Sequence, residues 1–165
     1  MTTIGSVLFL CTGNATRSVL AGELLRVRRP DLVVETAGTF SVGGRPLSWR
    51  TRRAFEAIGL DPPRHASVQA DEEHLGQADL IVGLAPEHIR WVRREHPTHA
   101  RRAATLIRLD RTEHELPAWV ASGGPGEVDL AAWEEVVDPG GGEVDEFVAC
   151  AHEIVRLIDR VAPRL

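Results

Sequence analysis

The chain has 165 residues, a formal net charge of −5 at pH 7 and two cysteines. This length predicts one domain over residues 1–165, with enough chain to bury a sizeable core. The acidic balance argues against a basic face for nucleic acid or membrane binding, and two cysteines cannot build a disulfide framework.

The amino-terminal segment, residues 1–5, has no basic residue ahead of the first apolar run. That run is too short for a signal peptide or for a membrane-spanning helix. We therefore expect a cytoplasmic protein, in which Cys11 stays reduced.

The first predicted unit is a strand, a tight loop and a helix. An apolar run, Val7–Leu10, leads into Cys11, a loop of small residues over 12–16, and an amphipathic segment, Val19–Val27. This order directs backbone N–H groups into a hollow at a helix N-terminus, where a tetrahedral oxyanion binds. Arg17 can add a planar, two-pronged donor to the same anion.

Cys11 lies at the mouth of this predicted hollow. The inward amides, the helix dipole and the Arg17 guanidinium all favour the thiolate, and Ser18 can donate a hydrogen bond to the sulfur. Gly13 and Asn14 suit the positive φ angles that a cradle needs. The pattern therefore indicates a nucleophile aimed at phosphorus. The alternative is a cysteine buried at a strand end beside a surface arginine.

Strand and helix signals alternate along the rest of the chain, which predicts an α/β fold: a doubly wound domain with a central four-stranded parallel sheet flanked by helices. The predicted elements are a strand at Leu32–Glu35, a helix from the Ser48 cap to Ala57 that ends at Gly59, a helix at Asp71–Gln77, a strand at Ala78–Val82, a helix at Pro86–Arg94 and a strand at Ala103–Leu109. Asp110, at the end of that last strand, is a second-choice acid.

Proline and glycine interrupt the segment Thr112–Val137. It can be a mobile lid over or beside the site, or a surface loop whose tryptophans, Trp119 and Trp133, pack on the core. Apolar residues at helical spacing then predict a closing helix over Val144–Val161, with Cys150 in the core. The seven histidines are dispersed, so we expect no metal site.

The segment Cys11-Thr-Gly-Asn-Ala-Thr-Arg17-Ser18 resembles the phosphate loop of the low-molecular-weight protein tyrosine phosphatases. The residues Thr36–Thr39 are similar to that family's second-strand motif, and Asp138-Pro139 is similar to its late general-acid motif. The resemblance covers nearly the whole chain. It implies a small doubly wound fold and hydrolysis through a cysteinyl-phosphate intermediate, without metal or other cofactor.

The resemblance also implies a role for each matching residue. Cys11 is the nucleophile, Arg17 binds the phosphate, and Asp138 protonates the leaving group and then activates water. The remaining loop residues bind the substrate phosphate: Thr12, Gly13, Asn14, Ala15, Thr16 and Ser18. His65 stands where the family often has a histidine that supports the loop asparagine.

Four residues depart from the family pattern, and one of these departures, Val19 in place of the usual proline after Arg17-Ser18, is minor. Thr16 replaces the second cysteine found in most members, so oxidised Cys11 would lack a nearby resolving thiol. Gly140 stands where an aromatic residue often lines the pocket, so Phe40 or Trp119 would have to supply an aromatic wall. Ala15 occupies the position that helps to sort phosphotyrosine from phosphoarginine in related enzymes.

The predicted function is therefore phosphomonoester hydrolysis, with protein phosphotyrosine as the first substrate class. The alternatives are a small-metabolite or phosphoarginine phosphatase on the same fold, or a catalytically idle phosphate-binding regulatory module. Arsenate reduction would need two further cysteines, and only Cys150 remains. We expect a phosphorylated protein or a small phosphoester as substrate, and neither nucleic acid nor membrane as partner. The oligomeric state stays open.

Overall fold

A four-stranded parallel sheet forms the centre of the computed structural model, which describes residues 2–165. The strands are β1 (Ser6–Cys11), β2 (Val33–Gly38), β3 (Leu80–Gly83) and β4 (Ala103–Thr105), in the spatial order β2-β1-β3-β4. All three strand pairs are parallel. The four-stranded parallel sheet expected from the alternating pattern is confirmed.

Helices cover both faces of this sheet. They are α1 (Arg17–Arg28), α2 (Trp49–Ala57), α3 (Glu72–Gln77), α4 (Pro86–Glu95), α5 (Leu106–Arg111), α6 (Leu116–Ala121) and α7 (Val144–Val161). The side chains of α3 and α4 bury one apolar cluster, while those of α1, α2 and α5 to α7 bury the other. The expected doubly wound arrangement is confirmed.

Strand β1 lies between these two clusters. Val7 and Phe9 point into one, and Leu8 and Leu10 point into the other. A strand with both faces buried needs an unbroken apolar run, because a polar residue on either face would lose its contact with water. The run therefore places Cys11 at the carboxyl end of a fully buried strand.

Side-chain caps explain where two of the helices begin. The Ser48 hydroxyl accepts a hydrogen bond from the Thr51 N–H at the start of α2, and Asp71 accepts one from the His74 N–H at the start of α3. Each cap satisfies a backbone donor that the first helical turn leaves unpaired. Gly59 follows α2 with a φ of +78°, as expected for a glycine that ends a helix.

The fourth strand is shorter than its apolar run predicts. It was expected over Ala103–Leu109, but it ends at Thr105, where α5 begins. The Thr105 hydroxyl accepts a hydrogen bond from the Arg108 N–H, so the residue acts as the N-cap of α5. Asp110 consequently lies in a helix and not at a strand end, and its carboxylate pairs with Arg160. The strand-end position, on which the choice of Asp110 as a second acid rested, is therefore wrong.

The segment Thr112–Val137 does not form a lid over Cys11. Its helix α6 contributes Pro117 and Val120 to a cavity shared with Ile4 and Asp79, which precede β1 and β3. That cavity lies at the amino ends of β1 and β3, whereas Cys11 lies at the carboxyl end of β1. Only the last residues of the segment reach the candidate site.

Among the helices of residues 2–165, none has both the length and the apolar character needed to cross a bilayer.

Candidate active site

Cys11 ends β1, and α1 begins six residues later at Arg17. The Cys11 side chain is buried, and its Sγ lies 3.0 Å from the Ser18 Oγ. Ser18 is the second residue of α1, so the helix carries the hydroxyl to the sulfur. The contact expected between these two side chains is present.

Asn14 organises the loop between Cys11 and α1. Its φ is +53°, a left-handed conformation that asparagine tolerates better than most residues, whereas Gly13 does not take the positive φ expected for it. The Asn14 Nδ2 donates to the hydroxyls of Ser18 (3.0 Å) and Thr36 (2.9 Å). Its Oδ1 accepts from the Val68 N–H (3.0 Å), which determines the orientation of the amide.

This orientation directs a proton toward the nucleophile. Because the Ser18 Oγ accepts from Asn14, its own hydrogen is free to donate to the Cys11 sulfur. At 3.0 Å, this hydroxyl can hydrogen-bond to the sulfur when the sulfur acts as a nucleophile. The three buried side chains therefore form a hydrogen-bond chain that ends at Cys11.

Two further side chains hold the loop from outside. The His65 Nε2 lies 2.7 Å from the Asn14 carbonyl oxygen, so the histidine contacts the loop asparagine as the family resemblance implies. The Thr16 hydroxyl lies 2.9 Å from that of Thr51 in α2. The residue that replaces the family's second cysteine thus ties the loop to a neighbouring helix.

Arg17 connects the loop to the segment that carries Asp138. Its side chain is 2% exposed; one Nη donates to the Val136 carbonyl oxygen at 2.9 Å, and the other lies 3.4 Å from the Asp138 carboxylate. Asp138 is 54% exposed, and its second carboxylate oxygen accepts from the Gly140 N–H at 2.9 Å. The structure thus brings Asp138 to the phosphate loop, and solvent still reaches its carboxylate.

The end of β2 packs against the first residues of the loop. The N–H groups of Thr39 and Phe40 donate to the carbonyl oxygens of Cys11 and Thr12, each at 2.9 Å. A Cβ at Gly38 would lie 2.5 Å from the Thr12 carbonyl oxygen, so only glycine permits this approach. The segment Thr36–Thr39 therefore lies beside the loop, as the resemblance implies.

Sequence reasoning missed His88, which also contacts the loop. This residue of α4 is fully buried, and its Nε2 lies 3.1 Å from the Thr12 hydroxyl. One signal could have indicated a special role: His88 is the third residue of a helix that begins with Pro86, where an acceptor side chain can cap the backbone.

The start of α1 has the donors that an oxyanion requires. Within residues 2–165, the backbone N–H groups of 13–18 donate to no protein acceptor. Free N–H groups at a helix N-terminus, together with an arginine, attract a phosphate group. A buried thiol at the base and a carboxylic acid at the rim complete the groups that cysteine-dependent phosphoester hydrolysis requires.

Trp119 and Cys150 lie outside the phosphate loop, although Cys150 lines a cavity together with Asp138. Trp119 stacks on His114 and packs against Gly124, so it cannot form a wall beside Cys11. Cys150 is buried in α7, as expected for a core residue, and this burial raises the pKa of its thiol to about 12. In the described chain, residues 2–165, no group of three or more His, Cys, Asp or Glu side chains could hold a metal ion.

Comparison with known proteins agrees with this class of hydrolase. The profile of the low molecular weight phosphotyrosine protein phosphatase family matches residues 6–121. The chain therefore belongs to this family of cysteine-dependent hydrolases, which confirms the family and the enzyme class that its motifs indicate.

Two curated relatives align with most of the chain. A protein-arginine-phosphatase from Geobacillus stearothermophilus is 28% identical over 160 residues, covering 96% of this chain and 95% of the relative. A low molecular weight protein-tyrosine-phosphatase from Streptomyces coelicolor is 35% identical over 153 residues, covering 87% and 83%.

Two solved structures have a fold similar to that of this chain. The arginine phosphatase from Geobacillus stearothermophilus superposes with a TM-score of 0.78 at 26% identity, covering 96% of this chain and 90% of the other. The low molecular weight protein tyrosine phosphatase from T. tengcongensis superposes with a TM-score of 0.79 at 26% identity, covering 97% and 99%.

Proposed function

We propose that this protein hydrolyses phosphorylated side chains of proteins, phosphotyrosine first, with Cys11 as the nucleophile. The observation that carries this proposal is the hydrogen-bond chain from Asn14 through Ser18 to the Cys11 sulfur. This chain lies at the N-terminus of α1, where the backbone N–H groups are free. Such a chain prepares the sulfur as an attacking group and as a leaving group.

The reaction has two steps. In the first, the Cys11 thiolate forms an S–P bond while the P–O bond to the leaving group breaks, and Asp138 gives its proton to the departing oxygen. In the second, the Asp138 carboxylate takes a proton from water, which attacks phosphorus and releases phosphate and the thiolate. Arg17 and the N–H groups of the loop hold the three equatorial oxygens in both steps.

Exposed apolar side chains support a protein substrate with an aromatic ring. Phe40 is 82% exposed, and its own N–H donates to the Thr12 carbonyl oxygen, while Val137 is 66% exposed and precedes Asp138. Trp49 is 55% exposed at the start of α2, two residues before the threonine that contacts Thr16. Each of these three residues lies within two residues of a group that contacts the loop or Arg17, and each offers apolar contact to a phenyl ring.

Protein phosphoarginine is the second candidate substrate. A protein-arginine-phosphatase aligns with 96% of this chain, and no aromatic residue follows Asp138-Pro139 to grip a phenyl ring. The scissile bond would then be P–N, and Asp138 would protonate the departing guanidine nitrogen.

The first experiment is hydrolysis of p-nitrophenyl phosphate with a chelator present, for wild type, Cys11→Ser and the control Cys150→Ser. We expect Cys11→Ser to lose at least about 1,000-fold in kcat, because the hydroxyl is a far weaker nucleophile. Cys150→Ser should retain activity, since Cys150 is a core residue. Activity that persists in Cys11→Ser would refute the mechanism.

A second experiment separates the substrate classes. Two peptides of matched sequence, one with phosphotyrosine and one with phosphoarginine, are compared with a sugar phosphate by phosphate release. Of the three substrates, we expect the phosphotyrosine peptide to have the highest kcat/KM. A preference for the phosphoarginine peptide or the sugar phosphate would favour that alternative, and phosphate binding without any turnover would indicate an idle regulatory module.

A further inference from the structure

His88 is a buried histidine whose two ring nitrogens contact two different parts of the molecule. Its Nδ1 accepts a hydrogen bond from the Ala85 N–H at 3.0 Å, and its Nε2 lies 3.1 Å from the Thr12 hydroxyl. The first contact caps the helix α4, which follows β3. The second reaches the residue directly after Cys11.

The first contact determines the direction of the second. Because Nδ1 accepts from a backbone N–H, the ring proton is on Nε2, and Nε2 therefore donates to the Thr12 hydroxyl. Burial, followed by the positive charge of Arg17, lowers the pKa of His88 to about 3, so the ring is neutral near pH 7. The exposed Glu87 carboxylate, 3.5 Å from Nε2, then faces a neutral ring and forms no ion pair.

Thr12 is held by three neighbours. Its carbonyl oxygen accepts from the Phe40 N–H at 2.9 Å and lies against the Cα of Gly38, which leaves no room for a side chain there. His88 holds the hydroxyl from the opposite side of β1. Since the hydroxyl accepts from His88, its own hydrogen is free to donate elsewhere, and the side chain is only half-buried.

We propose that His88 is a positioning residue of the phosphate loop, which holds the Thr12 hydroxyl through its Nε2–H and so orients that hydroxyl and the adjoining Cys11 toward the phosphate. This inference rests on the proposed function of Cys11. A histidine that only caps α4 would need its Nδ1 alone. The two roles therefore use different atoms and can be separated.

Two substitutions of His88 test its contacts with Ala85 and Thr12 separately. His88→Asn places an acceptor where Nδ1 stands but cannot reach Thr12, whereas His88→Gln can place an amide N–H near the position of Nε2. We expect His88→Asn to fold with a thermal midpoint close to that of wild type and to lose about 10- to 100-fold in kcat, with a smaller change in KM. His88→Gln should recover most of that kcat even if its thermal midpoint falls.

The contact between His88 and Thr12 can also be removed by substitution of Thr12. Thr12→Val should lower kcat by a factor similar to that of His88→Asn, and Thr12→Ser should recover it because the hydroxyl returns. The double variant His88→Asn with Thr12→Val should be no slower than Thr12→Val alone, since both changes remove one interaction. Additive losses in the double variant, or an unchanged kcat in His88→Asn, would overturn the proposal.

A measurement without turnover distinguishes this inference from the proposed function. In a histidine-15N NMR spectrum of wild type, we expect His88 to be the neutral tautomer with its proton on Nε2 between pH 5 and pH 8. The Nε2 signal should move in Thr12→Val and return in Thr12→Ser. If wild type shows these signals but no hydrolysis, the proposed function fails; if it hydrolyses but His88 is protonated on Nδ1, this inference fails.

Discussion

Arg17 and Asp138 face each other at the mouth of the candidate site, and each has a second protein partner. The guanidinium also bonds to the Val136 carbonyl, and the carboxylate also accepts from the Gly140 N–H. Their 3.4 Å contact is therefore one interaction within a larger network, and its exposed side leaves the acid reachable by a leaving group. We infer that Asp138 acts on the leaving oxygen while Arg17 binds the phosphate.

A test of the acid compares leaving groups. Asp138→Asn keeps an acceptor for the Gly140 N–H but has no proton of suitable acidity to donate, so kcat should fall by about 10²- to 10⁴-fold with phenyl phosphate. The loss should be smaller with p-nitrophenyl phosphate, whose leaving group departs without protonation. The control is Asp145→Asn, which changes an exposed carboxylate at the start of α7. Equal losses with both substrates would contradict the role of Asp138 as an acid.

The short segment before Asp138 is anchored by one buried carboxylate. Glu134 is fully buried; it accepts hydrogen bonds from Arg108 (2.8 Å) and from the Thr105 hydroxyl (2.7 Å). Two residues later, the Val136 N–H donates to the Leu84 carbonyl at the end of β3. The segment is thus joined to the carboxyl ends of two strands, which places Asp138 beside Arg17.

Removal of this anchor should destabilise the protein. Glu134→Ala leaves the partly buried Arg108 without its carboxylate partner, so the free energy of unfolding should fall by about 3 kcal/mol, measured by urea denaturation. Glu135→Ala is the matched control at an exposed position and should change it by less than about 0.5 kcal/mol. If Glu134→Ala also lowers the free energy of unfolding by less than about 0.5 kcal/mol, the ion pair between Glu134 and Arg108 contributes little to stability.

The same carboxylate should make stability depend on pH. Burial raises the pKa of Glu134, but hydrogen bonds from Arg108, Thr105 and the Ala131 N–H lower it, and the net direction is below the ordinary value of 4.5. A carboxylate with a lowered pKa in the folded state contributes stability that is complete above its unfolded pKa and is lost as the pH falls through its folded pKa. The difference in stability between wild type and Glu134→Ala should therefore shrink below about pH 4.5.

At the scale of the whole molecule, one sheet joins the parts of the chain that carry the site. The loop after β1, the end of β2 and the start of α4 after β3 all meet at Thr12. α7 packs against α1, α2 and α5, so it connects distant parts of the sequence. We propose from this that residues 1–165 fold as one cooperative domain.

Thermal unfolding tests this proposal with two probes. Far-UV circular dichroism follows the helices, and fluorescence follows four tryptophans, Trp49, Trp91, Trp119 and Trp133, which lie in different parts of the fold. A single domain of this size should give coincident transitions, because no part is stable alone. Two separate midpoints would indicate two folding units.

The amino-acid sequence by itself determined the features whose causes lie within a few residues. The unit from Val7 to Ser18, the cap at Ser48 and the helix α7 follow from apolar periodicity and local hydrogen bonds, so they could be predicted. The resemblance of the motifs further indicated the family, now confirmed, and pointed to Asp138.

Only the tertiary structure decided which distant groups meet at Cys11. Arg17 and the Val136 carbonyl are separated by 119 residues, and Thr12 and His88 by 76. No local pattern encodes such pairs, because they arise from the order of the strands in the sheet. Asp110 shows how a local pattern can mislead. The apolar run before it predicted a strand that ends there, but the Thr105 cap starts a helix, in which Asp110 pairs with Arg160.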